Sequence, residues 1–473
     1  MTDRTAYDEV RYSNYPYAQT HPDRLATVAR LHGLRPPDPR SARVLELGCG
    51  AGGNLIAMAV ATPGIVALGI DLASEPVAEG NRAIAEIGLE NVELRQEDVS
   101  SLTNGELGEF DYVIAHGLYA WVPEPVRDAV LAACHSHLAA DGLAYVSYNA
   151  HPGGHLRRLL REAGLWFGRD ADDPLARAER AQSLYRFLES SRGDMDDWWG
   201  GMLKSTIEPF AWGPTYRLVH DDLADAWAPV WLSEFVERAA RHRLAYVGDG
   251  DLSNLLPERV PDPVAREMNA LTGGDRVANE QISDLLRCVF FRQTVLCRDS
   301  LSPADGPDAE AVRGLFFAAR EGAEGDESGL LASAMSVLRT RLPDALGFDE
   351  LRAALGADPD ELAEAMLAGF RAELVMPHAA PLRAASAAGA DKPLASPLAR
   401  WQAQQQTDVT SLAYTTVHME EPAARLLLTL LDGTRDRAAI RAEFSERTGV
   451  RLSAEDLDAN LVQLGRLFLL FES

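Results

Sequence analysis

Three carboxylates and a glycine-rich turn stand at spacings that suit a nucleoside. Gly48, Gly50 and Gly52 fall in GCGAGG, directly after the apolar run RVLEL, which holds Glu46. Glycines there let the backbone pass close to a ligand. Asp71 closes the next apolar run, IVALGID, 23 residues after Gly48; a carboxylate so placed binds both hydroxyls of a ribose. Asp98 closes VELRQED and can reach an adenine edge. Two further groups could move protons or hold a cation: His116, Tyr119 and Trp121 after FDYVIAH, and Tyr148, Asn149 and His151 after LAYVSYN. The cysteines at 49, 134, 288 and 297 form no CxxC pair. Their spacing fits neither a zinc site nor a disulfide framework, so no metal and reduced thiols are expected.

These residues need a common edge to meet. The apolar runs Arg43 to Leu47, ending at Asp71, Val92 to Asp98, Phe110 to His116 and Leu143 to Asn149 alternate with helical stretches, Asn54 to Ala61 and a segment reaching Ile87. That alternation predicts a doubly wound α/β sheet. Ligands in such sheets bind beyond the carboxyl ends of the strands, where every residue named above falls. A lone glycine turn is otherwise just a tight strand–helix connection; the accompanying carboxylates favour a ligand. A dinucleotide fingerprint would read GxGxxG with a pyrophosphate at the helix N-terminus. Here the third glycine comes one residue early. The segment holding Tyr7, Tyr15, Tyr17, Thr20 and His21 precedes the first strand and is expected to fold over the ligand as a lid.

Composition narrows the partners. The chain has 473 residues, suggesting about three domains, and carries 45 Lys plus Arg against 71 Asp plus Glu, a net charge of −26. Such a surface repels phosphate backbones, so nucleic acid is excluded as substrate. A neutral or cationic substrate, such as a lysine-bearing peptide or protein, suits it better. No apolar run reaches the roughly 18–20 residues of a membrane span, and the polar N-terminus is no secretory signal; a cytoplasmic location and no membrane partner are expected.

The ELGCG turn resembles the first motif of class I S-adenosylmethionine-dependent methyltransferases. YDEVRYSNYPYAQTHPDRLATVARLHGLRPP, VLELGCGAGGN, GIDLAS, FDYVIAHGLYAWVP and AYVSYNAHPG together resemble bacterial methyltransferases that carry a methyltransferase regulatory domain, among them the rickettsial protein lysine methyltransferases. VHDDLADAWAPVWLSEFVERAARHRLAYVGDGDLSNLLPE and FFRQTVLCR resemble the regulatory domain, and residues 400 to 473 the family's C-terminal winged helix. The resemblance implies S-adenosyl-L-methionine as cofactor and S-adenosyl-L-homocysteine as product. It assigns Glu46, Gly48, Gly50 and Asn54 to the methionine part, Asp71 with Leu72 to the ribose, Asp98 with Val99 to the adenine, and His116 to the neighbourhood of the methyl. One departure stands out: where the family shows an SYNTLPGW-like stretch, this chain reads SYNAHPGGH. If the missing tryptophan lines the acceptor pocket, Gly154 leaves a wider one.

The resemblance divides the chain into a methyltransferase domain with its lid (1–155), a helical regulatory domain (156–300), a winged-helix-like segment with linkers (301–398) and a C-terminal winged helix (399–473). SPADGPDAEA from residue 302 and residues 379–398 read as linkers. Asp-Met-Asp-Asp-Trp-Trp (194–199) reads as a helix packing two tryptophans. DELAEAMLAGFRAELVM (360–376) aligns with EDLDANLVQLGRLFLLF (455–471), each after a shorter helical segment, which predicts two winged helices. Glu455, Asp456 and Asp458 give the second the wrong charge for a DNA groove.

Methyl transfer is an in-line displacement that needs a positioned nucleophile with a lone pair. A lysine amine, with a pKa of about 10.4, must lose a proton first. His116 is the expected base, with Tyr119 and Tyr148 as proton-accepting groups. Tyr17, His21, Trp121, Asn149 and His151 are expected to bind the acceptor, the aromatics by cation–π contact. The expected reaction is methylation of an amine, a lysine side chain of a protein or peptide. The alternatives are a small-molecule N or O acceptor, which the change at Gly154 favours, and a cofactor-binding regulator without turnover. The helical C-terminal half offers surfaces for a homodimer.

Overall fold

The computed structural model describes residues 10, 15–102, 104–192, 197–255, 260–323, 325, 328–384 and 390–471. Tyr7 lies outside them. Strands β1 (Arg43–Leu47), β2 (Val66–Asp71), β3 (Val92–Gln96), β4 (Phe110–Ala115), β5 (Leu138–Asn149), β6 (Leu244–Asp249) and β7 (Phe291–Arg298) form one sheet in the order β3-β2-β1-β4-β5-β7-β6. The first five pair in parallel: Val44 faces both Ala67 and Tyr112 across β1. Their near-continuous apolar runs follow from helices covering both faces. Leu45, Val113 and Val146 are wholly buried, as are Val44, Tyr112 and Tyr145. Strand order reverses between β1 and β4, which places the ligand crevice over their carboxyl ends.

β7 inserts antiparallel beside β5, Tyr145 facing Val295, and β6 pairs antiparallel at the outer edge. The expected boundary at 155/156 therefore cuts through one folded unit. The segment read as a separate helical regulatory domain contributes two strands to the sheet. Pattern alone obscured this, because 11 helical residues at Asp262–Thr272 and 12 at Arg276–Arg287 separate β6 from β7. Arg292 fastens the addition. It forms a bidentate pair with Asp284 (2.7 and 3.1 Å) and also reaches Glu280 and Asp249. Buried this deeply, one guanidinium needs several anions.

Helices Gly153–Gly168, Pro174–Arg192 and Trp198–Trp212 pack together around one apolar cluster. Residues 194–196 lie outside the described ones. The two tryptophans divide: Trp199 packs on the apolar cluster holding Tyr185 and Phe210, while Trp198 is 79% exposed. Adjacent positions on a helix point about 100° apart, so one flank cannot bury both.

The repeat in the C-terminal half is real in three dimensions. Helix Pro359–Arg371 runs into β10 (Val375–His378), which pairs with β8 (Phe316–Ala319), itself paired with β9 (Leu346–Gly347). Helix Ala454–Arg466 likewise runs into an extended stretch bridging Leu470 to Ala395. Leu362, Met366 and Leu374 are buried like Leu457, Leu461 and Leu469. Glu373 and Phe468, at the same repeat position, both take positive φ (57° and 53°). The equivalence fails once: Leu367 is buried and Val462 is 43% exposed. Residues 379–398 are only partly a linker, since Leu394 bridges Asp432 and a helix begins at Pro397. Among the described residues no helix is long and apolar enough to cross a membrane, and no cluster of three or more His, Cys, Asp or Glu side chains is placed to hold a metal.

Candidate active site

A cavity of about 1370 Å³ opens over the carboxyl ends of β1 and β4. Of the residues singled out by sequence, Tyr17, Glu46, Gly48, Gly50, Asn54, Asp71, Leu72, Asp98, Val99, His116 and Trp121 line it.

One end is built by the β1 turn and the strands beside it. Gly48 has φ +75°, and a Cβ there would meet Leu118 at 3.2 Å, so only glycine lets the turn lie this close. Glu46 sits on β1, buried. Its Oε1 accepts from Asn54 Nδ2 at 2.9 Å, while Oε2 has no hydrogen-bond partner among the described residues. Burial, against the opposing Asn54 bond and helped by Asp71, pushes the carboxyl up to about 8. A buried carboxyl oxygen without a partner costs free energy until a cation or donor meets it. Asp71 Oδ2 accepts from Gly50 N and Oδ1 from Ala73 N, both at 2.8 Å. These bonds aim the carboxylate over the turn. Asp98 caps the Val99–Ser101 turn through Ser100 N at 2.8 Å.

These residues fit S-adenosylmethionine. Glu46 would take the α-ammonium, Asp71 the ribose, and Asp98 and Val99 the adenine. Asn54 has a further part beside the expected one: its Oδ1 accepts from Tyr17 N at 3.0 Å while Nδ2 reaches Glu46. It ties the N-terminal segment to the buried carboxyl. The C-terminal winged helix closes this end from behind, with Tyr414 Oη donating to Asn54 O at 3.4 Å. No signal in the sequence pointed to Tyr414.

The other end is composite. The Tyr17 ring packs against His116, tilted by 44° with ring centroids 4.1 Å apart. His116 Nδ1 lies 3.1 Å from Tyr145 Oη, which donates onward to Gln293 Oε1 on β7 at 3.2 Å. With that hydroxyl proton committed, the network assigns Nδ1 as donor and leaves Nε2 with the lone pair. Burial lowers the His116 imidazole to about 4. It is therefore neutral near pH 7 and a poor proton store, which fits a hydrogen-bonding role better than the expected base. Trp121 Nε1 donates to Asp221 O at 2.8 Å, and Tyr216, Arg217 and Asp221 complete this wall. Sequence reading missed these three, although they stand beside the HDD triplet of the regulatory segment.

Five expected residues are elsewhere. Side chains alternate faces along a strand, so β5 sends Tyr145 towards His116 and Tyr148 to the opposite face. There Tyr148 stacks on Phe235 at 4.2 Å and bonds Thr294 at 3.0 Å. Tyr119 packs edge-on against the same Phe235, its hydroxyl without a hydrogen-bond partner among the described residues. Both are core residues, not proton acceptors. Asn149 is buried, its Oδ1 accepting from Arg157 at 2.8 Å. His151 is buried between His155 and Trp231. His21 caps helix Pro22–Leu31 through Asp23 N and packs on Tyr414. Gly154 does not widen the cavity either. A Cβ there would meet Pro229 at 2.5 Å, so proline already fills the space a side chain would take.

Three family models match the chain: a methyltransferase domain over 44–142, a predicted methyltransferase regulatory domain over 214–298, and a PKMT C-terminal winged helix domain over 391–454. "Uncharacterized protein RP789" of Rickettsia prowazekii is 34% identical over 301 residues, 64% of this chain and 54% of that protein, so the alignment spans about half of that relative's length. "Uncharacterized protein RP028" of the same organism is 28% identical over 51% of this chain and 96% of its own. The structure of PKMT2 from Rickettsia typhi in complex with AdoHcy superposes with TM-score 0.82 at 22% identity, covering 97% of this chain and 99% of that one. At that identity the likeness is one of fold.

Proposed function

We propose, from the premise that this chain carries a class I S-adenosylmethionine-dependent methyltransferase domain, a methyltransferase regulatory domain and a PKMT-type winged helix, that it methylates an amine, a lysine side chain of a protein or peptide. The observation that carries the reading is the charge of the cavity. Its volume of about 1370 Å³ leaves room for an acceptor beside a cofactor. Eight carboxylates and three arginines line the whole of it, a balance that suits a cation. The change at Gly154 no longer favours a small-molecule acceptor, because Pro229 occupies the space.

The bound cofactor supplies an electrophilic methyl group and takes back the electron pair of the broken bond, so the leaving group needs no acid. The chain's residues have two tasks. Glu46, Asp71 and Asn54 fix the donor end. Tyr17 and His116, neutral and packed ring against ring, wall the transfer site against water and orient the acceptor nitrogen. Exclusion of water there favours the uncharged amine, which is the form with a lone pair.

The test is incubation with S-adenosylmethionine and a randomised peptide pool centred on lysine, read by mass spectrometry. The expected product is the pool carrying one or more methyl increments on lysine nitrogen. Protein that binds AdoHcy yet methylates hydroxyl metabolites and no lysine would overturn the amine acceptor.

A further inference from the structure

We propose that Gln293, on a strand that the regulatory segment adds to the sheet, is a positioning residue: through Tyr145 it holds the His116 proton on Nδ1, so that Nε2 offers the acceptor amine a lone pair rather than a proton. The inference deepens the amine reading and rests on it.

The register of the sheet brings the side chains together. Ser147 on β5 faces Gln293 on β7, and Tyr145 faces Val295. Side chains alternate faces along a strand, so Tyr145, Ser147 and Gln293 share one face. Tyr145 and Gln293 are then diagonal neighbours, within reach of long side chains. β7 is held there from its other side as well. Gly250 N donates to Gln293 O at 2.6 Å, and Gln293 N donates to Asp249 Oδ2 at 3.3 Å. A Cβ on Gly250 would meet the Tyr145 ring at 3.1 Å and Gln293 O at 3.3 Å, so glycine permits this packing.

Protons can be placed along this chain of groups. Burial, with Asp249, holds the Tyr145 phenol protonated, which gives it one proton to donate. The phenol oxygen lies 3.2 Å from Gln293 Oε1 and 3.1 Å from His116 Nδ1. An amide oxygen can only accept, so the phenol proton goes to Gln293 and Nδ1 donates. Ser147, which also bonds the phenol, has its Oγ engaged by Gly117 N at 2.9 Å. The tautomer of an imidazole is set by the bond its other nitrogen makes. With Nδ1 committed, Nε2 is the nitrogen left for a ligand, and the His116 ring lines the cavity.

The direction of that bond decides the chemistry. A neutral amine that donates an N–H to Nε2 keeps its own lone pair for attack on the methyl. The opposite tautomer would present Nε2–H, which would bond that lone pair and quench the nucleophile. The amine arrives neutral, and the methylated product carries the positive charge away with both of its protons. His116 therefore accepts a bond without changing its own charge, as suits an imidazole that burial keeps neutral near pH 7.

The experiment uses full-length protein loaded with AdoHcy and labelled with nitrogen-15 in histidine. Two-bond proton–nitrogen spectra show which ring nitrogen of His116 carries the proton, its signals being identified by their loss in His116→Gln. Wild type is expected to carry it on Nδ1. Gln293→Leu should move it to Nε2, whereas Gln293→Glu, whose carboxylate accepts the same bond, should keep the wild-type pattern. On the lysine-centred peptide pool, kcat of Gln293→Leu should fall about tenfold, the scale of one hydrogen bond, with AdoHcy affinity within about twofold of wild type. Gln293→Glu should recover most of that rate. Should Gln293→Leu fail to fold, Tyr145→Phe is read instead and should move the proton the same way. Wild type protonated on Nε2, or a variant without the relay that keeps Nδ1 protonated, would overturn the assignment. A wild type with the expected tautomer that methylates no lysine leaves Gln293 in this role and overturns the amine reading instead.

Discussion

The two ends of the cavity are made in opposite ways. At the cofactor end, Glu46, Gly48, Gly50 and Asp71 lie within 26 residues and two βα units, and backbone N–H groups of Gly50 and Ala73 hold the key carboxylate. At the acceptor end, Tyr17, His116, Trp121, Asp221 and Gln293 come from four segments spread over most of the chain. Their contacts run largely through side chains and tilted rings. The difference teaches that the first end is set by local backbone geometry, whereas the second exists only once β7 is docked. Changes at the cofactor end should act on cofactor affinity, and changes at the acceptor end on acceptor recognition.

The largest effect is expected for Asp71→Ala. It removes the carboxylate proposed to hold the ribose and frees the Gly50 and Ala73 N–H groups together, so AdoHcy affinity should fall about 100-fold, or about 2.7 kcal/mol. Calorimetry showing less than a threefold loss would break the local-end assignment. Next comes a pH effect. Burial holds Glu46 protonated up to about pH 8, so binding an α-ammonium near pH 7 should expel a proton. Affinity should rise with pH, by up to tenfold per unit, and level off above about 8. Titration in buffers of different ionisation enthalpy should detect the release, and Glu46→Gln should abolish it while weakening binding about tenfold. Equal proton counts in the two proteins would remove Glu46 from that role. The smallest effect sharpens the other side. Tyr119→Phe deletes a buried hydroxyl that has no hydrogen-bond partner among the described residues, so stability should stay level or rise by under about 1 kcal/mol and turnover should not change. A large fall in kcat with an unchanged melting temperature would return Tyr119 to the catalytic end.

Much of this was legible in the chain itself. The five parallel strands, the glycine turn and the winged-helix repeat follow from local periodicity, which reports which face of an element is buried. Residue identity within an element was less secure. Tyr145 and Tyr148 differ by three positions on one strand, and only the sheet's two faces decide that the first meets His116 and the second the core. His151 and His21, polar residues beside the motif, serve packing and capping. Tyr414 reaches the site from 360 residues beyond Asn54, a distance no spacing rule spans.

By itself, then, the sequence determined the nucleoside cradle, because a strand, a glycine turn and a helix fix their own backbone geometry whatever surrounds them. Tertiary structure decided the acceptor wall. There, which side chain faces the cavity depends on strand parity and on the antiparallel docking of β7, and both are set by contacts between segments far apart in the chain.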